Sequence, residues 1–419
     1  MTDVAKIIAR RSGLNMAEGK QKVWRWEHGK AVPEMASQRA LADELEIDPN
    51  FLFRLPWPDW LQLAYVIDVT RPWDEPQAML ALTGSVDAIL DRRQFFAFSG
   101  EAAVMLAHAW SSAPVGQLAR GVEGKRVDTE VASWVEGRIP ELWHLDDLVG
   151  GESCLDVAVS QLRLVVRLLS RGSYSEAVGR RLHASAAELA RFTGWAAFDA
   201  GKHTAAERYW HAGLRASATA GDVGTGAYIL SQMAMQRTYS GDGTTAVDLL
   251  EAARVRAGTR VSRTVHAMLD AWQVRAHAVA GESLPAAKTL LRADDHWSAR
   301  RPEDDPAWVY WMRRPSTTIE VGMAFSALGE PDTAEELLAE GMQARGHDYE
   351  RDRVLGWTAI ATARLEQGEI EGAIEAAGEA AETAAAIDSS RVMDEMEAFT
   401  SRLPAREAGE FRSRLQELS

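Results

Sequence analysis

A single cysteine, Cys154, stands in a chain of 419 residues. It has no partner for an internal disulfide, which suits a reducing compartment, and its apolar helical surroundings make it a buried, inert thiol. Long apolar runs are missing: no stretch of ~18 apolar residues occurs, so no membrane span is expected. Met1 to Arg11 lacks the apolar core of a secretory signal, and the expected location is cytoplasmic. Period-two alternation is missing as well, which removes the usual doubly wound cofactor folds. The compact catalytic signatures are absent: no Gly-x-x-x-x-Gly-Lys-Ser/Thr loop, no His-Glu-x-x-His pair and no Gly-x-Ser-x-Gly elbow. The ten histidines are scattered, and His203 and His211 are eight residues apart, too far for a simple i, i+4 ligand pair. No catalytic residue, metal ligand or cofactor is expected, and the chain does not read as an enzyme.

Positive charge is scarce overall but locally concentrated. The net charge is −15, which argues against uniform coating by nucleic acid. Residues 6–30 carry seven basic side chains against Glu18 and Glu27, a net of +5, whereas residues 329–419 carry 9 Arg, no Lys and 21 acids, a net of −12. A basic end on an acidic body predicts one localised anionic partner.

A glycine recurs through the body of the chain. Gly172, Gly201, Gly241, Gly281, Gly329 and Gly368 are each followed five residues later by an alanine, from Ala177 and Ala206 to Ala373. Their spacings are 29, 40, 40, 48 and 39. Small residues precede them by seven positions (Gly194, Ala234 and Gly322 among them) and follow them by twelve (Gly213, Ala253, Gly341). Glycine closes a helix in left-handed backbone angles, and small residues let neighbouring helices approach closely. A fixed period of this kind reads as stacked helical hairpins. These residues, with Gly172-Ser173-Tyr174-Ser175-Glu176-Ala177 as the fullest match, resemble the tetratricopeptide repeat, although most spacings exceed the family's ~34 residues.

The run Lys22 to Lys30, containing Trp26-Glu27-His28-Gly29, then Pro33 and Leu41-Ala42-x-x-Leu45, resembles the second half of a repressor-type helix-turn-helix. The resemblance puts Trp26 in a small core and the start of the reading helix in the major groove of a double-stranded DNA operator. Lys20, Gln21, Lys22 and Arg25 would face base edges there, and Lys30 would hold phosphate. The helix that normally precedes this unit has little room after Met1, so either Met1 is not the true start, or the unit is trimmed, or it is a structural remnant.

The fold expected is therefore all-α: a short helix-turn-helix unit, residues 1–54, then a right-handed α-solenoid of tetratricopeptide-like hairpins. A proline- and tryptophan-rich connector spans 55–100, irregular helical hairpins 101–154, the repeats 155–387 and capping helices 388–419. Stacked hairpins make a concave surface lined by the first helix of each pair. In that register Arg191, Trp195, Asp199, Tyr228, Ser231, Tyr239 and Arg275 face inward, a groove suited to a peptide or small-molecule effector. The polar stretch from Asp294 to Trp308, in the longest repeat, reads as a metal or ligand lip or, in the preferred reading, as an exposed connection whose acids and arginines pair with one another.

This order of parts, with Leu145-Asp146-Asp147-Leu148-Val149-Gly150-Gly151, is similar to a group of actinobacterial regulators. The resemblance implies transcriptional control by a homodimer, with the repeats sensing a signal. The alternative is a repeat scaffold that binds protein partners and carries a non-DNA-binding N-terminal unit.

Overall fold

The computed structural model describes residues 31–44, 71–87, 100–114, 124–346, 349–384 and 389–418, with residues 8, 22, 23, 25, 26, 52, 57 and 387. Among the described residues there are seventeen α-helices and one two-residue parallel ladder. None of these helices is long and apolar enough to cross a membrane. The all-α expectation holds.

Five antiparallel hairpins form the body. Helices α1 (Met35–Glu44), α2 (Glu75–Asp87), α3 (Gly100–Ser112), α4 (Thr129–Val149) and α5 (Gly151–Arg171) precede them. The pairs are α6 (Glu176–Asp199) with α7 (His203–Ala220), α8 (Val223–Tyr239) with α9 (Gly243–Ala257), and α10 (Arg263–Val279) with α11 (Ser283–Ser298). Then come α12 (Arg314–Ala327) with α13 (Pro331–Arg345) and α14 (Glu350–Gln367) with α15 (Ile370–Ala384). Helices α16 (Ser390–Thr400) and α17 (Ala405–Leu418) close the chain.

Each hairpin turns on one of the recurring glycines. Gly201, Gly241, Gly281, Gly329 and Gly368 all have positive φ, from 69° to 86°, which costs an L side chain energy and costs glycine none. The alanines five residues later, Ala206, Ala246, Ala286, Ala334 and Ala373, are buried where the second helix meets the first. The small positions are needed for close approach: a Cβ on Gly194 would lie 2.4 Å from Trp210, and one on Gly341 2.7 Å from Ile319.

The sixth match is a coincidence of spacing. Gly172 has φ −89°, lies in β2 (Gly172–Ser173) and pairs with β1 (Lys125–Arg126). Ala177 is exposed. Gly172 therefore joins α5 to α6 between units instead of turning within one. Tyr174 still packs inward, its hydroxyl donating to the Leu169 carbonyl.

The stretch before the repeats is more helical than the sequence suggests. Pro76 enters the first turn of α2, where its missing N–H is no loss, and Ser85 lies inside that helix, donating to Leu82 O at 2.7 Å. The apolar stripe around Ile139-Pro140 belongs to α4, which runs 21 residues with Pro140 inside it. Trp110 of α3 is fully buried, with its indole N–H on Ser217 at 3.1 Å and the Arg256 guanidinium over its ring.

Among the described residues the apolar core falls into two large clusters. One runs from Leu82 to Met312, the other from Ile319 to Phe411. A small third cluster, Val274, Ala278, Ala286, Val321 and Ala324, joins α10 and α11 to α12 between them.

Two predictions follow from this packing. Gly243→Ala puts a Cβ 2.4 Å from the Ala280 backbone nitrogen, where nothing flexible can yield, and should lower urea-unfolding stability by about 1–3 kcal/mol. Gly137→Ala, at an exposed position of α4 with nothing within 4 Å, should raise it by about 0.5–1 kcal/mol. The second concerns His211, whose Nε2 accepts from Arg215 Nε at 3.1 Å. Burial and Arg215 push its pKa down to about 3. The unfolded chain binds a proton below about 6.5 that the folded chain refuses, so stability should fall by about 1.4 kcal/mol per pH unit as pH drops from 6.5. His211→Gln should flatten that slope in unfolding curves taken between pH 4 and 7.

Candidate functional site

The first helices of the hairpins face a common space. A cavity of about 130 Å³ opens between the two large core clusters, lined by α4, α6, α8, α10, α12, α14, α16, the end of α13 with Tyr349 after it, and the segment between α11 and α12. Ten of its twenty-six lining residues are aromatic, and the rest include Asp146, Asp147, Glu320, Asp352, Arg191, Arg345, Arg351 and Arg391.

Five of the seven residues expected on the concave face line this cavity: Arg191, Trp195, Tyr228, Ser231 and Tyr239. Asp199 and Arg275 do not reach its surface. Both sit one layer behind and hold other side chains in place. Arg275 donates to Glu320 at 3.2 Å and lies over the Tyr239 ring at 4.6 Å. The register counted from the hairpin glycines finds the inward face, but it does not separate the first layer of side chains from the second.

Asp199 anchors a buried ionic network. Its carboxylate accepts from Arg391 Nε, Arg351 Nη1 and the Gly151 amide, each at 3.1 Å. Gly151 is required for that approach, since a Cβ there would lie 2.7 Å from Asp199 Cβ. Arg351 also donates to both Asp146 oxygens, at 3.0 and 2.8 Å, and Asp146 accepts the Trp195 indole N–H at 2.9 Å. The Trp195 ring lies between the Arg351 and Arg391 guanidiniums at 4.9 and 5.0 Å. Burial alone would push the Asp199 carboxyl up, but Arg351, Arg391 and the Gly151 amide hold it below the ordinary carboxylate range. Asp146 and Asp199 likewise keep Arg351 charged against its burial. Helices α4 and α6 belong to the first core cluster, α14 and α16 to the second. The network is thus a clasp across the cavity.

The segment between α11 and α12 supplies a wall of the cavity, closer to the ligand-lip alternative than to the preferred reading of an exposed connection. Its acids and arginines do pair among themselves and with the helices beside them, as expected: Arg300 with Asp305 at 2.9 Å and Arg314 with Asp294 at 3.0 Å. It is not merely an exposed connection, however. Two 3₁₀ turns, Pro302–Asp304 and Ala307–Val309, carry Trp308, Tyr310, Trp311 and Met312 into the cavity. Trp308 stacks on Tyr228 with ring centres 4.6 Å apart, and the Tyr310 hydroxyl donates to Asp147 at 2.6 Å. The one available signal was the 48-residue spacing of this repeat, set beside three prolines and three aromatics.

Other expectations fall differently. Cys154 is buried, and burial, reinforced by Asp146, pushes its thiol up to about 12, which leaves it protonated. Among the described residues no group of three or more His, Cys, Asp or Glu is placed to hold a metal ion. In the N-terminal unit Lys22 and Arg25 are exposed, while Val23, Trp26, Leu41 and Ala42 are buried. Lys20, Gln21 and Lys30 lie outside the described residues. No family model matches the chain, and a comparison with curated proteins gives no match.

Removing one member of a buried ionic network strands the others without water. Asp199→Asn should therefore cost about 3–5 kcal/mol of stability, and acid should act the same way. The Asp199 contribution is present above the unfolded value near 3.9 and is lost as pH falls through the lowered folded value. Chemical unfolding of wild type and Asp199→Asn at pH 7 and pH 3 checks both: the gap should narrow at the lower pH.

Proposed function

We propose that this chain is a ligand-responsive DNA-binding transcriptional regulator: the hairpin array receives a small-molecule or peptide effector, and the N-terminal unit binds operator DNA. The observation that carries the reading is the aromatic cavity that opens between two core sections bridged by a buried ionic clasp. Such a cavity offers large apolar contact area with a few fixed polar groups, the usual make-up of a small-molecule site. An effector shifts a protein only by binding its states unequally, and an occupant that touches both core sections meets that condition.

The N-terminal residues support the output side. Val23 and Trp26 face inward while Lys22 and Arg25 face solvent, the division that a reading helix needs. Lys22 stands 3.7 Å from Glu34, an exposed pair that phosphate can displace because such pairs contribute little. The rest of the chain is strongly acidic, which confines an anionic partner to this end. Tetratricopeptide-like stacking into a right-handed solenoid, a cytoplasmic location and a homodimer spanning two operator half-sites complete the proposal. In the alternative, a scaffold for protein partners, the same clasped array would serve without any DNA contact.

Recovery of genomic DNA bound by the full chain, followed by titration of a recovered site, tests this. Wild type should bind discrete sites with affinity falling steeply in salt, by a log–log slope of roughly −0.9 per phosphate contact. Arg25→Ala should lose specific binding while unfolding like wild type. Recovery of no sites, or equal binding by Arg25→Ala, would contradict the assignment of this helix.

A further inference from the structure

The charges around the cavity do not balance, and the imbalance falls at one place. Every guanidinium there is answered by a carboxylate. Arg191 pairs with Glu188 at 2.6 Å, Arg275 with Glu320 at 3.2 Å, and Arg345 with Asp352. Arg351 and Arg391 share Asp146 and Asp199. The reverse does not hold. Among the described residues, Asp147 lines the cavity with only the Tyr310 hydroxyl at 2.6 Å and the largely exposed His144 ring at 3.7 Å beside it. Its remaining charged neighbours are Asp146, which repels it, and Arg351, which is already committed to Asp146 and Asp199.

The rings show the same division. Guanidiniums already cover Tyr228, Tyr239, Tyr349 and Trp195 at 4.3 to 5.0 Å. Among the described residues none lies over Trp143, Trp308, Tyr310 or Trp311. Trp143 stacks on Tyr310 with ring centres 6.2 Å apart, and Tyr310 holds Asp147. The corner of the cavity with an unanswered carboxylate is thus also the corner whose rings carry no cation, although Trp308 stacks on Tyr228 and Trp143 on Tyr310. The spare guanidinium N–H groups do not offset this. Arg345 Nε, Arg351 Nε and Arg391 Nη2 lack partners, but all three atoms are sealed from solvent, so an anionic ligand cannot reach them as the cavity stands.

We infer that the effector is a cation with a flat apolar body, an aryl-alkyl amine in chemical class, whose ammonium group sits at Asp147 against Tyr310 and Trp143 and whose ring lies against the cavity-facing edges of the cation-free indoles. A cation gains from aromatic rings as well as from the carboxylate, and a planar body adds edge-to-face contact with the rings that line the cavity. Burial, with Asp146 adding to it, also raises the Asp147 carboxyl from its ordinary value. Mild acid should therefore weaken binding by neutralising the carboxylate before the ligand amine is affected. The inference rests on the reading of this cavity as an effector site and names the effector's charge.

Calorimetric titration of the full chain with three probes that share one ring tests it: tryptamine, neutral tryptophol and indole-3-acetate. Tryptamine should bind about tenfold or more tighter than indole-3-acetate, with tryptophol between. Asp147→Asn, or Asp147→Ser should the first variant not fold, should abolish tryptamine's advantage over tryptophol and leave tryptophol itself little changed. Acidification through the raised Asp147 titration should weaken tryptamine more than tryptophol. Preference for indole-3-acetate, or a tryptamine affinity indifferent to Asp147, would overturn the cationic class while leaving an effector site intact. Failure of all three probes to bind at millimolar concentration would overturn the inference and the effector-site reading together.

Discussion

A carboxylate with no exposure to water, Asp199, is solvated by two guanidiniums and a backbone amide drawn from three distant stretches of chain. The relative placement of the two core sections depends on that arrangement. A buried ionic network adds little net stability over apolar packing of the same shape, because desolvating the charges offsets their attraction. What it imposes is geometry. Arg351 can serve Asp146 and Asp199 together only if α14 lies against α4 and α6, and Arg391 can join only if α16 arrives beside them. Apolar contacts tolerate sliding, whereas these bonds require direction and distance.

The cavity is a consequence of this closure. Hairpins α6 to α15 present their first helices inward, and the clasp brings the last of these helices back against the first. The space left between them is too wide for the helices' own side chains to fill, and the insertion after α11 crosses part of it with Trp308, Tyr310 and Trp311. The site is therefore shared by every layer of the array. An occupant of this site would touch the clasp, the insertion and both core sections at once.

Much of the fold was legible because its determinants are local. A hairpin turn needs a left-handed residue and an early small residue, and both leave a mark at fixed spacing. Gly201, Gly241, Gly281, Gly329 and Gly368 were found on that basis. Gly172 was misread because a glycine–alanine spacing does not encode the sign of φ. The inward register found Trp195, Tyr228 and Tyr239 but mistook Asp199 and Arg275 for surface, since burial depth depends on partners far away in sequence. Arg351 lies 205 residues from Asp146, and no periodicity links them. The aromatic insertion was seen as a length anomaly with a polar surface, and where its rings pointed was decided by the cavity opposite.

The distance between α4 and α16 in solution tests the clasp most directly. Cys154 is buried, so cysteines introduced by Glu141→Cys and Glu397→Cys, both at exposed positions, accept spin labels selectively for a pulsed dipolar measurement. The account predicts one narrow distance distribution in that background and a longer, broader one when Asp199→Asn is added. The same narrow distribution with and without Asp199 would show that the two core sections are held by something else, and the clasp would lose its place in the account.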